Sequence, residues 1–218
     1  MGTRNLTMVV KGGQYKVAQY CQWDGYPSGQ GATVLKFLRE QVKWDEFHSS
    51  LDKCKFISDE EIERRWKEMG ADDIGATMEV SNKFKRSWPQ LQRDMGAYVL
   101  MAIQMAPDGL ELQDNHLFAA DSLFCEWAYL IDLDAGNLEV YEGFNEQPLD
   151  PSERFASMLV EKNKVLGKTY YPIKIVQTWP LTELPALEEF LKALEPEEEY
   201  SDTEHVQAQL PGVKIINN

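Results

Sequence analysis

The chain of 218 residues is poor in the side chains from which metal and redox centres are built, with three histidines and three cysteines. His48, His116 and His205 form no HxxxH or HExxH pair, so a zinc site made by local helical spacing has no support and no metal is expected. Cys21, Cys54 and Cys125 are odd in number and far apart. They match neither a disulfide framework nor a CxxC site and read as reduced, partly buried small side chains. Positive charge is scarce as well: 22 Lys and Arg face 36 Asp and Glu, a formal charge of −14. Such a balance offers no global basic surface to phosphates or anionic lipid and excludes direct nucleic-acid binding. No apolar run approaches the roughly 18 residues that cross a bilayer, and residues 1–6 lack the apolar core of a secretory signal. Leu6 stands where N-myristoylation of Gly2 requires Ser or Thr. These absences predict a soluble, cytoplasmic protein without a membrane partner. Repeats of solenoid or propeller period are also missing.

What is present suits a folded domain. Hydrophobic residues at 43% and aromatics at 11% lie near the globular average, enough to bury a core. Residues 183–204 hold nine acids and one lysine and so carry −8 of the charge. The composition predicts one α+β domain over 1–194 and an acidic, flexible tail over 195–218.

Residues 4–22 read as a β-hairpin: Leu6, Met8 and Val10 alternate with polar partners, Lys11-Gly12-Gly13 turns, and Tyr15, Val17, Gln19 and Cys21 alternate in the return strand. Over 23–31, three glycines and a proline predict an irregular loop. Val34, Leu35, Leu38 and Val42 have helical spacing, and a second helix is expected over 44–53. Ser58-Asp59-Glu60-Glu61 is a capping box that starts a third helix, running to about Met69. Ser87-Trp88-Pro89-Gln90 repeats that logic ahead of a long buried helix through Leu91, Met95, Tyr98, Val99 and Ala102. Residues 124–133 and Leu138, Val140 and Tyr141 predict a second hairpin around Asp134-Ala135-Gly136-Asn137. Asp150-Pro151-Ser152-Glu153 reads as a helix start, Ile173, Ile175 and Val176 as a fifth strand, and Thr182 as the cap of a last short helix. The expected fold is a mostly antiparallel sheet of two hairpins and a further strand, with helices on one face.

The 23–31 loop carries the most chemistry. Glycines allow close backbone approach, and a helix N-terminus offers free amide donors to an anion. Gly25-x-x-x-Gly29-x-Gly31 is nevertheless neither a Walker loop nor a dinucleotide fingerprint, and a tight β-to-α connection accounts for the same residues. Asp24 fits an acid, a base-orienting group or an Asx turn. Arg93 fits a bidentate carboxylate clamp or a structural pair. Glu126, in an otherwise apolar strand, would have a raised pKa if it faced the core. The functional reading is a pocket for a small polar or anionic ligand, lined by Arg4, Gln19, Trp23, Asp24, Gly25, Tyr26 and Arg93, with no cofactor. An alternative is an acidic interaction or inhibitor module that engages a basic protein partner.

Thr3-Arg4-x-Leu6 with Gln19-Tyr20-x-Gln22-Trp23-Asp24-Gly25-Tyr26-Pro27-x-Gly29-Gln30-Gly31 resembles an uncharacterised family of phage, bacterial and fungal proteins. Arg93-Asp94-x-Gly96-Ala97 and Glu126-Trp127-Ala128-Tyr129-x-Ile131-Asp132-Leu133-Asp134 look like further motifs of that family, and the resemblance reaches to about residue 180. It implies no reaction, and its phage members point to a counter-defence protein as one form of the interaction reading. A weaker resemblance is to N-terminal-nucleophile hydrolases. This would make Thr3 a catalytic nucleophile activated by its own α-amine once residues 1 and 2 are removed, with Arg4 or Asp24 as orienter or substrate anchor. Aminopeptidase removal of Met1, however, exposes Gly2 rather than Thr3.

Overall fold

The computed structural model describes residues 2–72, 74–158 and 167–195, together with the backbone of 163–165. Apart from Glu195, the acidic tail expected over 195–218 therefore lies outside the described residues. The fold is α+β. Strands β1 (Asn5–Lys11), β2 (Gln14–Cys21), β5 (Trp127–Asp132), β6 (Asn137–Glu142) and β9 (Lys174–Pro180) form a five-stranded sheet in the order β2-β1-β5-β6-β9. β1 runs parallel to β5, and the other three pairings are antiparallel. β3 (Lys55–Ile57) with β4 (Glu111–Gln113), and β7 (Asn163–Val165) with β8 (Lys168–Tyr170), make two small accessory pairs.

Both expected hairpins are present. Gly12 and Gly13 close the first at φ of 62° and 68°, left-handed values that glycine adopts without strain. The strict alternation expected of β1 does not hold, because β1 is internal to the sheet. Leu6, Thr7, Met8 and Val9 are all fully buried, since a strand flanked by neighbours and covered on both faces has no solvent side.

On one face, Val9, Val17, Tyr129, Ile131, Leu138 and Val140 pack under the helices with Leu35, Phe37, Phe47, Leu100, Ile103 and Phe190. The other face buries Leu6, Met8, Val10, Ala128, Leu130 and Tyr141 beneath Ala119, Cys125, Phe155 and Ile173. These covering residues come from the segments between strands. A satellite cluster of Ile62, Phe84 and Leu91 includes the Trp66 and Phe84 rings stacked at 3.7 Å.

The helices are α1 (Ala32–Lys36), α2 (Trp44–Leu51), α3 (Asp59–Met69), α4 (Met78–Ser87), α5 (Tyr98–Gln104) and α6 (Leu187–Leu194). Ser58 Oγ accepts from the Glu61 amide at 3.2 Å, and Gly70 ends α3 at φ 105°, so that helix has the predicted start and stop. Four expectations change. The 23–31 loop is irregular only to Tyr26, because Pro27–Gly31 is a π-helical turn that runs into α1. Proline at its first position has no amide to lose. A second π-helical turn, Phe37–Gln41, follows α1. The long helix after Ser87 is broken into a 3-10 turn, Pro89–Leu91, and the seven-residue α5, with Gly96 at φ 50° between them. Asp150 starts turns and not a helix: its carboxylate accepts from the Ser152 amide and hydroxyl at 2.9 and 2.6 Å, an Asx turn. Finally, Ala186 rather than Thr182 precedes α6. No described helix is long and apolar enough to cross a membrane.

Candidate functional site

The glycine-bearing bend is sewn to the start of β1. The Gly25 amide donates to the Thr3 carbonyl at 2.9 Å, the Gln30 amide to the Asp24 carbonyl at 2.8 Å, and the Tyr129 hydroxyl to the Gly25 carbonyl at 2.8 Å. A Cβ on Gly25 would lie 2.7 Å from the Thr3 carbonyl and 2.9 Å from Asn5 Nδ2, so close approach explains this glycine. Asp24 takes a left-handed φ of 55° to make the corner, and its carboxylate is exposed. Trp23 and Tyr26 are 44% and 42% exposed. Gln19 is buried, and its amide donates to the carbonyls of Tyr20 and Gln92 at 3.0 and 3.3 Å. Beneath the bend, Asn5 Oδ1, Thr7 Oγ1 and Gln19 Oε1 have no hydrogen-bond partner. Gln30 ties the bend to the start of α5 by accepting from the Ala97 amide at 2.7 Å.

Arg4 lies elsewhere. Successive strand residues point to opposite faces, so Asn5 reaches under the bend while Arg4 falls on the side of Leu6 and Tyr20. Its guanidinium sits 4.5 Å from the centroid of the Phe124 ring. Glu126 holds it in place, accepting the Arg4 amide at 3.1 Å while remaining 3.9 Å from Arg4 Nε. The latter distance is ionic contact rather than a hydrogen bond, and Arg4 Nε is buried without a hydrogen-bond partner. Thr3, just before β1, is half-buried.

Arg93 approaches from the chain before α5. Its carbonyl accepts the Gln22 amide at 2.8 Å, and one residue on, the Trp23 indole donates to Asp94 at 3.1 Å. Asp94 also receives Lys85 at 3.0 Å. The pairing expected of Arg93-Asp94 thus falls to Asp94; the exposed Arg93 guanidinium makes no hydrogen bond or ion pair with the described residues. Tyr20 lies within electrostatic reach of both arginines. Burial raises the pKa of its phenol, while the charges of Arg4 and Arg93 both pull it down. The Tyr20 hydroxyl donates to Gln22 Oε1 at 2.6 Å, which leaves the Gln22 amide nitrogen as a donor. Of the predicted residues, Arg4 is thus placed at Phe124 and Glu126 and Arg93 is tied to Gln22 through its backbone carbonyl, and both charges act on Tyr20.

Two features escaped the sequence reading. The first is a groove of about 700 Å³ floored by the helix of 27–41, to which Ala97, Tyr98 and Met101 at the start of α5 and Leu187 of α6 contribute. Its cations are Lys36 and Arg39, and the bend enters it only through Ser28 and Gly29. The second is a charge cluster on the opposite sheet face. Arg154 donates to Asp132 at 2.5 Å and to both Glu139 oxygens at 2.9 and 3.0 Å, and Tyr141 donates to Glu139 at 2.5 Å. A cavity of about 430 Å³ opens beside it, lined by Glu139, Tyr141, Ser152, Glu153, Arg154 and Ile175. These two carboxylates have their charge spent on Arg154, and the network pins the 150–158 segment to the sheet. Asp132 and Glu139, facing inward on buried strands, are a signal that strand periodicity could have supplied; their arginine partner, well over ten residues further along the chain, is not.

No three His, Cys, Asp or Glu side chains among the described residues gather as a metal site. Burial pushes the Cys21, Cys54 and Cys125 thiols up, away from reactive thiolate. Compared with protein-family models, curated proteins and solved structures, the chain finds no match.

Proposed function

We propose that the protein binds a small anionic ligand beside Tyr20 at the end of β2, with Arg4, Gln22 and Arg93 as its donors. The observation that carries this reading is the state of the donors. In a chain with a formal charge of −14, Arg93 has no carboxylate partner among the described residues, and Arg4 is positioned by Glu126 and Phe124. Arg4 is pre-oriented, so little side-chain entropy remains to be lost when an anion arrives. Gln22 adds a neutral donor whose direction is set by Tyr20. Donors of this kind suit a carboxylate, phosphate or sulfate.

Titration calorimetry of the full chain with inorganic phosphate and with citrate at low salt tests the proposal. One of them should bind saturably, and Arg4→Gln and Arg93→Gln should each weaken it by roughly 10- to 100-fold, the equivalent of about 1.5–3 kcal/mol for a lost charged hydrogen bond. Binding that survives both substitutions would show that the anion sits elsewhere.

A further inference from the structure

The groove over the helix of 27–41 is built differently from the arginine face. Its floor carries short side chains, Ser28, Gly29, Ala32 and Thr33, followed by the longer polar Lys36, Arg39, Glu40 and Gln41. Short residues leave the trough open, and the helix that forms it has π-helical turns at both ends of α1, a distortion that recurs at functional sites. Apolar surface from other elements stands at its rim: Tyr98 is 62% and Leu187 50% exposed. Both are exposed well beyond what a residue of the core would be.

Charge in the groove is unevenly placed. Lys36 makes no ion pair with the described residues, and Arg39 spends its hydrogen bonds on the carbonyls of Leu184 and Pro185, so no carboxylate neutralises it. Glu40 is the acid in the lining, and at the Ser28 end the Glu195 carboxylate accepts from the Ser28 hydroxyl at 3.3 Å. The trough therefore has apolar walls, a carboxylate at its Ser28 end and a net positive end at Lys36 and Arg39, inside a molecule whose overall charge is strongly negative. Its volume of about 700 Å³ falls within the roughly 300–1,000 Å³ of small-molecule sites.

We propose that this groove binds an amphipathic organic acid, its apolar body lying along Ala32, Tyr98, Met101 and Leu187 and its single anionic group meeting Lys36. Burial of the apolar body supplies the affinity, and the ammonium selects the sign of the head group. The site is independent of Arg4 and Arg93.

The probes are dodecanoate and dodecyltrimethylammonium, two chains of equal length and opposite charge, titrated below their micelle-forming concentrations into the full chain. Dodecanoate should bind saturably with one site and at least about fivefold more tightly than the cation. Lys36→Glu changes an exposed side chain and should preserve folding, lower dodecanoate affinity by about five- to tenfold and improve that of the cation. Ala32→Trp should block both probes while the unfolding midpoint shows that the variant is folded. The Arg4→Gln/Arg93→Gln double variant should bind dodecanoate as the parent does. Equal binding of the two probes, indifference to Lys36→Glu, or loss of binding in the double arginine variant would each overturn the proposal.

Discussion

Single contacts decide which positions of this molecule tolerate change. Gly31 has an ordinary helical φ of −58°, so backbone freedom is not its reason for being glycine. An added Cβ would lie 2.8–2.9 Å from the Tyr129 ring and hydroxyl, and Tyr129 is fully buried and held by its bond to Gly25. Gly31→Ala should cost about 1–3 kcal/mol through overpacking, visible as a lower urea midpoint with an unchanged m-value. Arg154 decides in another way. Its removal leaves Asp132 and Glu139, whose side chains are 8% and 11% exposed, facing one another without a cation. A fully buried pair would lose about 3–5 kcal/mol, and because Arg154 is itself partly solvated the loss expected for Arg154→Ala is about 2–3 kcal/mol. The same cluster sets an acid limit. Burial works to raise the Asp132 pKa, but hydrogen bonds from the Ala135 amide and Arg154 outweigh it and hold the carboxyl below its usual range. A depressed folded value stabilises the protein above the unfolded pKa of about 3.9, and this stabilisation disappears as pH falls through the folded value. The stability gap between the parent and Asp132→Asn should therefore narrow as pH drops below about 4, and urea midpoints taken across that range would show it; a constant gap would contradict the assignment.

Among the elements, those with strong local signals were legible and those without were not. α3 was readable because Ser58 caps it, and in the structure Gly70 ends it. The Glu61 side chain does not return to the cap as a capping box requires; it binds Arg64 and Arg65 instead. Ser58 thus holds the first turn without reciprocal help, and Ser58→Ala should lower stability by about 1 kcal/mol in thermal or urea unfolding. Signals of the same kind misled at Ser87 and Asp150. Ser87 ends α4, and the chain that follows turns to meet the β2 end through Gln22 and Arg93, a tertiary contact that overrides the local preference for a longer helix. At Asp150 the Asx turn satisfies the amides that a helix start would otherwise need. The first turn of the 27–41 helix was obscured because its glycines looked like loop residues. They are there for close packing against Tyr129 and the Asp24 backbone.

At the scale of the whole molecule, the described residues centre on a five-stranded sheet whose inner strands are buried on both faces, with a helical satellite beside it. β1 and β5 contribute to both main clusters, so neither face can open without disturbing the other. The α3 and α4 pair rests on a small cluster of its own around Ile62, Phe84 and Leu91. Local opening free energies follow such differences in buried contact. Hydrogen exchange followed by mass spectrometry should find the amides of α3 and α4 exchanging well before those of β1 and β5; equal protection would mean that the satellite unfolds only with the sheet. Little of the candidate chemistry could be read without this context. Arg4 and Asn5 are consecutive in the chain, yet the strand's alternation sends Asn5 under the bend and Arg4 to the side of Tyr20. Lys36, Tyr98 and Leu187 share a groove although most of the chain separates them in sequence.

The amino-acid sequence by itself determined the α+β class, both hairpins, the capped start of α3, the last strand and the strong negative charge. Each of these follows from propensity, alternation, capping or composition, which act within a few residues or need no arrangement at all. Tertiary structure alone decided the parallel pairing of β1 with β5, the pairing of Arg154 with two carboxylates, and the groove. Those depend on contacts between segments distant in the chain, where many pairings satisfy the same local preferences and only the packing of the complete core selects among them.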